Sequence, residues 1–470
     1  METVYTIEIG GECMRVEEII LMLQRNVMFA LTMTIIVGLI IFLGYRFIYL
    51  KKFGGSKRLS TKQWVVFVLF TLYVVTVCTL TLLNRGANYG GSSNLSLFSS
   101  YREAWYNFSL RGWQYIYFNI LMFVPLGFLL PLIHKRFVTI GWTLLAALVF
   151  TAFIEIMQYL TSFGIFELDD LFNNVLGALI GFGLVKVLMV KNWWKRIMYL
   201  MPLLLVVGLS AGMFTYYEQK EFGNLPIVPV NNVKMKDVRV TTSISLHDDP
   251  LVANVYRAPS MSKGEAKQFA FDFFRNMELD TSNIEIIGYQ NEANYRYHGE
   301  PSYFIWLHFL DGTYELTDFS SFDIELADTD EATIKMKLKE YGVTIPEQAK
   351  FERTDTGRYQ WVVDQLQTAD QLIDGTITAD YYKDGTVKRV NHQIVTYEKV
   401  KEVNVKSVQQ AYEELLDGKF KLFNRNIREL DIQQVELGYV LDSKGFYQPV
   451  HVFSGTIDGA SADILVPALN

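Results

Sequence analysis

Between Phe153 and Gly181 the chain reads FIEIMQYLTSFGIFELDDLFNNVLGALIG, which sets Glu155, Gln158, Glu167, Asp169, Asp170, Asn173 and Asn174 between two apolar runs. A charged side chain at the centre of a membrane helix costs roughly 2.5–3.5 kcal/mol on insertion scales. Carboxylates kept at that depth either act on something or hold helices together. Glu155 and Gln158 are three residues apart and Asp170 and Asn174 four apart, so each pair shares one helix face. Thr151 extends the first face, while Gly177 and Gly181 continue the second as a GxxxG pair that permits close helix approach. Upstream, Asn119 precedes Phe123, Pro125 and Gly127, and a proline within a helix removes a backbone hydrogen bond and can bend it. Two chemistries are open to this set. Glu155 and Asp170 could act as general acid or base, or Asn119, Glu155, Gln158, Glu167, Asp169, Asp170 and Asn174 could recognise a polar head group. Arg85, Arg102 and Arg111, in the loop before, are the candidates to neutralise the acids. Taken singly, each amide or acid could glue helices, and Asp169 and Asp170 could cap a helix start. Taken together, they favour one polar pocket formed by the third, fourth and fifth spans.

The elements that must position these residues are apolar segments at roughly 27–49, 64–83, 115–133, 139–160, 170–190 and 197–217, each near the ~20 residues needed to cross ~30 Å of hydrocarbon. Lys51, Lys52, Lys57, Arg58 and Lys62 lie in the first loop, Lys135 and Arg136 in the third, and Lys191, Lys195 and Arg196 in the fifth. These odd-numbered loops share one side, which the positive-inside rule makes cytoplasmic. The N-terminal segment 1–26, the loop 84–114, the loop 161–169 and everything after the sixth span then face outward. The expected location is the cell membrane, multi-pass, with both termini extracytoplasmic. The first 18 residues hold five acids and no early basic cluster, so no cleavable signal peptide is expected.

The charge divides the same way. Residues 1–217 carry 17 Lys+Arg and 10 Asp+Glu, whereas residues 218–470 carry 26 and 40, a net of −14. After Tyr217, EQKEFGNLPIVPVNNVKMKD has no hydrophobic period and reads as a stalk. Beyond it a short amphipathic helix followed by strands recurs three times, with helices beginning near Ser262, Asp330 and Ser407 and hairpin turns at Asp311-Gly312 and Asp384-Gly385. The expected fold is an all-α polytopic membrane bundle of six transmembrane helices plus a C-terminal α+β extracytoplasmic domain of repeated helix-plus-antiparallel-strand units. Its parts are 1–26, a first helix and basic loop at 27–63, a membrane domain at 64–217, a stalk and first strand at 218–259, and the α+β domain at 260–470. The only cysteines, Cys13 and Cys78, exclude a disulfide framework in the soluble half. His247, His298, His308, His392 and His451 lack metal-ligand spacing, and neither metal nor cofactor is expected.

Four pieces occur in the order found in the VanZ-like family of bacterial membrane proteins, which residues 65–190 resemble: NLSLF at 94–98, NILMFVPLGFLLPLI at 119–133, IEIMQ at 154–158 and ELDDLFNNVLGALIG at 167–181. The family pattern carries over to Asn119, Phe123, Pro125, Gly127, Glu155, Gln158, Asp170, Asn174 and Gly177, with Gly181 continuing it. The chain departs where the family often has Arg (Gly164), Asp (Glu167) and Pro (Leu97). Without that arginine, Arg85, Arg102 or Arg111 must answer the acids, or Glu155 is held neutral. The soluble units loosely resemble the PepSY-type and YycH/YycI-type extracytoplasmic domains of Gram-positive bacteria, through Ala411, Leu415, Tyr447-Gln448-Pro449-Val450 and Leu465-Val466-Pro467-Ala468-Leu469.

The resemblance implies a cell-envelope role associated with resistance to the glycopeptide teicoplanin. The expected partners are the bilayer, a lipid-linked cell-wall precursor or lipoglycopeptide held at the outer leaflet, and an envelope protein meeting residues 260–470. The alternatives are an intramembrane enzyme acting on a lipid-linked head group through Glu155 and Asp170, which turnover would reveal, and a small-molecule transporter, which vesicle flux would reveal. Few mid-membrane charges and no inverted repeat disfavour the transporter. The acidic soluble half disfavours nucleic acid.

Overall fold

The computed structural model describes residues 31–52, 60–83, 91–228, 235–420 and 427–469. The chain divides into two compact units, meeting in sequence at Lys220 and Glu221.

Among the described residues the helical unit holds six helices long and apolar enough to cross a membrane: α1 (Leu31–Lys52), α2 (Thr61–Leu82), α4 (Leu110–Ile133), α5 (Ile140–Thr161), α6 (Leu168–Met189) and α7 (Trp193–Gln219). A short α3 (Ser99–Tyr106) lies between α2 and α4. Hydropathy locates the apolar stretch, but caps set the ends, so several helices start earlier than the sequence windows. Ser60 forms a capping box with Gln63 ahead of α2, Ser109 accepts from the Gly112 amide ahead of α4, and Asn192 accepts from the Lys195 amide ahead of α7. Pro125 and Pro131 lie inside α4, which continues as helix through both. Phe123, Leu126 and Leu130 of α4, Ala147 and Ile154 of α5, Ala178 of α6 and Val77 of α2 form the core of the bundle.

The tightest packing joins α4 to α6. A Cβ added to Gly127 would stand 1.8 Å from the Ala178 carbonyl oxygen, one on Gly177 would stand 2.0 Å from that of Ile120, and one on Gly181 would stand 1.9 Å from that of Val124. Three glycines therefore let two backbones touch, the arrangement that small residues serve in membrane helices. At one end of the bundle, strand β1 (Ser93–Asn94) pairs in parallel with β2 (Phe166–Glu167), tying the segment before α3 to the start of α6.

The second unit is built on one 14-stranded sheet. Its strands are β3 (Arg239–Thr242), β4 (Leu251–Arg257), β5 (Ile284–Gly288), β6 (Glu292–Tyr297), β7 (Tyr303–His308), β8 (Tyr314–Asp318), β9 (Lys350–Asp355), β10 (Arg358–Gln367), β11 (Gln371–Tyr381), β12 (Val387–His392), β13 (Val395–Val405), β14 (Glu429–Leu441), β15 (Phe446–Ile457) and β16 (Ala460–Pro467). The three helices are α8 (Lys263–Asn276), α9 (Glu331–Glu340) and α10 (Val408–Leu416), each followed by strands. The pairings are antiparallel except β3 with β14. The recurring helix-plus-strand pattern is thus present, with the units sharing a sheet rather than standing apart.

The sheet forks at β11. Residues 371–374 pair with β13 and residues 377–381 with β12. Gly375 sits at the fork with φ +122°, and a Cβ there would stand 2.0 Å from the Gln393 carbonyl oxygen. Helices α8 and α9 cover one face of the β12 branch through Ala266, Phe273, Phe274, Ile334 and Leu338, packed on Ala293, Tyr295, Ile305, Leu316 and Trp361. Helix α10 covers the other branch through Ala411 and Leu415, against Ile432, Phe453 and Ile464.

The segment read as a stalk packs in part on the sheet. Leu225 and Ile227 are buried with Val450. The Gly223 amide donates to Asp442 Oδ2 at 2.6 Å and the Asn224 amide to Ser443 Oγ at 2.9 Å. Absence of a hydrophobic period hid two apolar side chains that enter the sheet's own core.

Candidate functional site

The acidic and amide candidates of the helical unit gather toward the end that carries β1, β2 and α3. Five of them, Glu155, Gln158, Asp169, Asn173 and Asn174, are each no more than 2 % exposed, so each must be paired or costly. They are arranged largely as helix-to-helix pairs. Asn119 on α4 donates from Nδ2 to Asp170 Oδ1 on α6 at 2.5 Å. Asn174 on α6 donates from Nδ2 to Thr151 Oγ1 on α5 at 2.7 Å. Gln158 on α5 donates from Nε2 to the Thr81 carbonyl at the end of α2 at 3.0 Å. Glu155 Oε2 accepts from the Glu167 amide at 3.2 Å, which joins α5 to β2.

Asp169 does something the sequence did not indicate. Placed in the first turn of α6, it leaves that helix to Glu167, which takes the N-cap position without a side-chain cap bond. Its carboxylate instead accepts from the Phe98 amide, from the Ser100 amide at 2.8 Å and from Ser99 Oγ at 3.2 Å. It is therefore the N-terminal cap of α3, supplied from 70 residues away in the chain. The same contacts hold Phe98 at φ 63°, a left-handed conformation uncommon for a bulky residue. The Phe98 ring also meets Phe172 and Tyr101 edge to face, at 5.3 and 5.7 Å. Beside it the Tyr101 hydroxyl donates to Asn173 Oδ1. Burial, with the Asp169 charge next, pushes that phenol's pKa up and keeps it a donor.

Among the charged candidates, Arg111 donates from Nε to the Tyr115 hydroxyl at 2.9 Å, its guanidinium 5.5 Å from that ring's centroid. Arg102 is partly buried on α3. Arg85 lies outside the described residues. Gly164, where the family pattern often has arginine, is buried. Phe123, Pro125 and Gly127 lie on α4 and Gly177 and Gly181 on α6, at the close crossing described above. Sequence reading missed Tyr101, Ser99, Ser100 and Thr81. The serines and Tyr101 directly follow NLSLF, so that motif's C-terminal flank was the available signal. Thr81 contributes only a carbonyl and left none.

The arrangement supplies two carboxylates on different helices. Asp170 is partly buried and Glu155 fully buried. On α6, one turn after Asp170, Asn174 keeps Oδ1 buried and without a partner. Such a cluster can accept hydrogen bonds from a polar group or exchange a proton with it.

These helices and their buried polar end define a multi-pass membrane protein. Residues 67–189 match the VanZ/LLP1 family model, so the chain carries a VanZ-like membrane domain. No curated protein matches the chain. Among solved structures it is similar to the C-terminal domain of Bacillus megaterium YpeB, at 12% identity over 45% of this chain and 94% of that one, with a TM-score of 0.20. It is also similar to an uncharacterized protein from Eubacterium rectale, at 10% identity over 50% and 89%, with a TM-score of 0.26. At such scores neither likeness carries an argument about what this chain does.

Proposed function

We propose that the VanZ-like unit binds the polar head of an amphiphilic or lipid-linked envelope molecule at the outer leaflet, and thereby contributes to resistance against teicoplanin-type glycopeptides or to envelope homeostasis. The observation that carries this reading is the Asp170–Asn119 pair. It is only partly buried, and it stands one helical turn from an Asn174 acceptor that is buried without a partner. A purely adhesive cluster would be expected to close on itself, because an unmet buried polar group costs about 1–3 kcal/mol.

The test is binding of a fluorescent lipid-linked cell-wall precursor to the full chain in nanodiscs. Wild type should bind saturably. Glu155→Gln and Asp170→Asn should each weaken binding about tenfold, or ~1.4 kcal/mol, with insertion unchanged, and should shift glycopeptide susceptibility of a Gram-positive host. Equal binding by all three proteins would reduce the cluster to helix adhesion. Conversion of the lipid by wild type but not by Glu155→Gln would assign an intramembrane enzyme instead.

A further inference from the structure

The soluble unit has a second place where buried polar atoms lack partners, and there they are in register. Among the described residues seven buried side-chain polar atoms have no hydrogen-bond partner, and three belong to one strand: Glu292 Oε1, Asn294 Oδ1 and Arg296 Nε of β6. These residues alternate along the strand, so they point to one face, about 6.6 Å apart. It is the face away from the helices, because Ala293 and Tyr295, between them, lie in the core under α8 and α9. Directly across on β7 stand His308, Trp306 and Phe304, the register partners of Glu292, Asn294 and Arg296.

Two of the three are held by side-chain contacts. Glu292 has a side chain 6 % exposed and holds His308 Nδ1 at 2.8 Å through Oε2, which leaves Oε1 unmet. The Arg296 guanidinium lies 5.2 Å from the Phe319 centroid, and Phe319 packs on Phe304 at 5.5 Å. Trp306 is stacked on Tyr289 at 5.5 Å and 19°. The result is a row of acceptor, acceptor and donor, bordered by aromatic rings, on the sheet face opposite α8 and α9, with the short helical turn Phe319–Phe322 packed over its Arg296 end.

We infer that this face of β6 and β7 binds a neutral glycan chain. Hydroxyl groups both donate and accept, so a row of them matches two acceptors and a donor, while the C–H faces of sugar rings pack on Trp306 and Phe304. The charge of the soluble half, a net of −14 over residues 218–470, opposes a phosphate-bearing polymer. An extended peptide would use a sheet edge and main-chain pairing, whereas the unmet groups here are side-chain atoms on a face. The inference does not rest on the function proposed for the membrane unit.

The experiment uses the full chain in nanodiscs and three probes: a β-1,4-linked N-acetylglucosamine oligosaccharide, a phosphate-rich polyanion and an extended neutral peptide. Wild type should bind the oligosaccharide saturably and the other two no better than a control membrane protein. Asn294→Leu should lower that affinity at least tenfold while keeping or raising the melting temperature, since it removes an unmet buried acceptor. A merely structural Asn294 would not separate the two readouts. Glu155→Gln should leave glycan binding unchanged, which keeps the two proposals distinguishable. Absence of saturable oligosaccharide binding, equal binding by Asn294→Leu, or preference for the peptide or the polyanion would each overturn the inference.

Discussion

Asp169 occupies the first turn of α6, where a carboxylate ordinarily serves the amides of its own helix. Its oxygens go instead to Phe98, Ser99 and Ser100. Asp169→Ala would strip these donors of a charged acceptor, each such bond being worth about 1.5–3 kcal/mol. The expected outcome is about 3 kcal/mol of lost stability, a lower melting temperature in detergent, and faster proteolysis confined to residues 93–106. Asp169→Asn, which retains one acceptor oxygen, should lose less. Unchanged proteolysis in Asp169→Ala would mean that Phe98 is held by its ring contacts alone. That Asp169 was a pocket or capping candidate was legible in ELDD; its burial and its partner were not, because the contact spans 70 residues and depends on backbone amides that every residue has. Asp170, Asn174, Glu155 and Gln158 were legible as a set from helical spacing, and Thr151 was visible on the same face. The identity of each partner needed the bundle.

At the scale of elements, the α4–α6 crossing rests on three glycines whose added Cβ atoms would stand 1.8–2.0 Å from carbonyl oxygens. Those oxygens belong to the opposing backbone, so a side chain cannot be accommodated by a rotamer change. Gly177→Val should cost about 3 kcal/mol or more and abolish recovery of monodisperse protein from detergent. Gly208→Ala and Gly212→Ala, on α7 with nothing within 4 Å of the added atom, should be neutral or gain up to about 1 kcal/mol of helix propensity each. Equal behaviour of the two classes in a thermal-shift assay would refute close packing at the crossing. The glycine spacing on α6 announced this contact in the sequence. The true start of α4 at Leu110 did not announce itself, because Ser109 caps a turn whose residues are too polar for a hydropathy window.

For the whole molecule, three histidines of the second unit tie stability to pH. His451 is buried, with Nε2 on the Lys406 carbonyl at 2.8 Å, and His392 is stacked on Tyr314 at 5.0 Å. Burial lowers both pKa values from 6.5. Their contribution is fully present above the unfolded value and is lost as pH falls below 6.5 toward the folded values, because the unfolded chain takes protons that the native one refuses. His308 runs the other way. Its pKa is raised overall: burial alone would lower it, but the Glu292 contact outweighs that, so its contribution is held at low pH and lost as pH rises through the folded value. His392 and His451 therefore favour a loss of stability as pH falls, which His308 and the raised carboxyls Asp380 and Asp442 oppose, and His451→Gln should shift the change in melting temperature between pH 7.5 and 5.5 toward higher stability at pH 5.5. An unchanged pH dependence in the variant would exclude His451 as a source. The Asp311-Gly312 and Asp384-Gly385 turns were readable from their residue types, and both glycines have positive φ, at 74° and 79°. The closure of the sheet was not readable, because β4 pairs with β13 and β15 across more than a hundred residues of chain.

The parallel pairing of β3 with β14 carries a consequence in time. The Thr241 hydroxyl waits for Asp431 Oδ1, 190 residues later, at 2.7 Å. At roughly 5–20 residues per second of synthesis, β3 has already emerged for roughly 10–40 s before its partner exists. Throughout that interval its backbone donors and acceptors form an open edge, the kind that recruits other chains. A chain stalled or cut before Glu429 should therefore aggregate through β3, the earliest strand of the second unit.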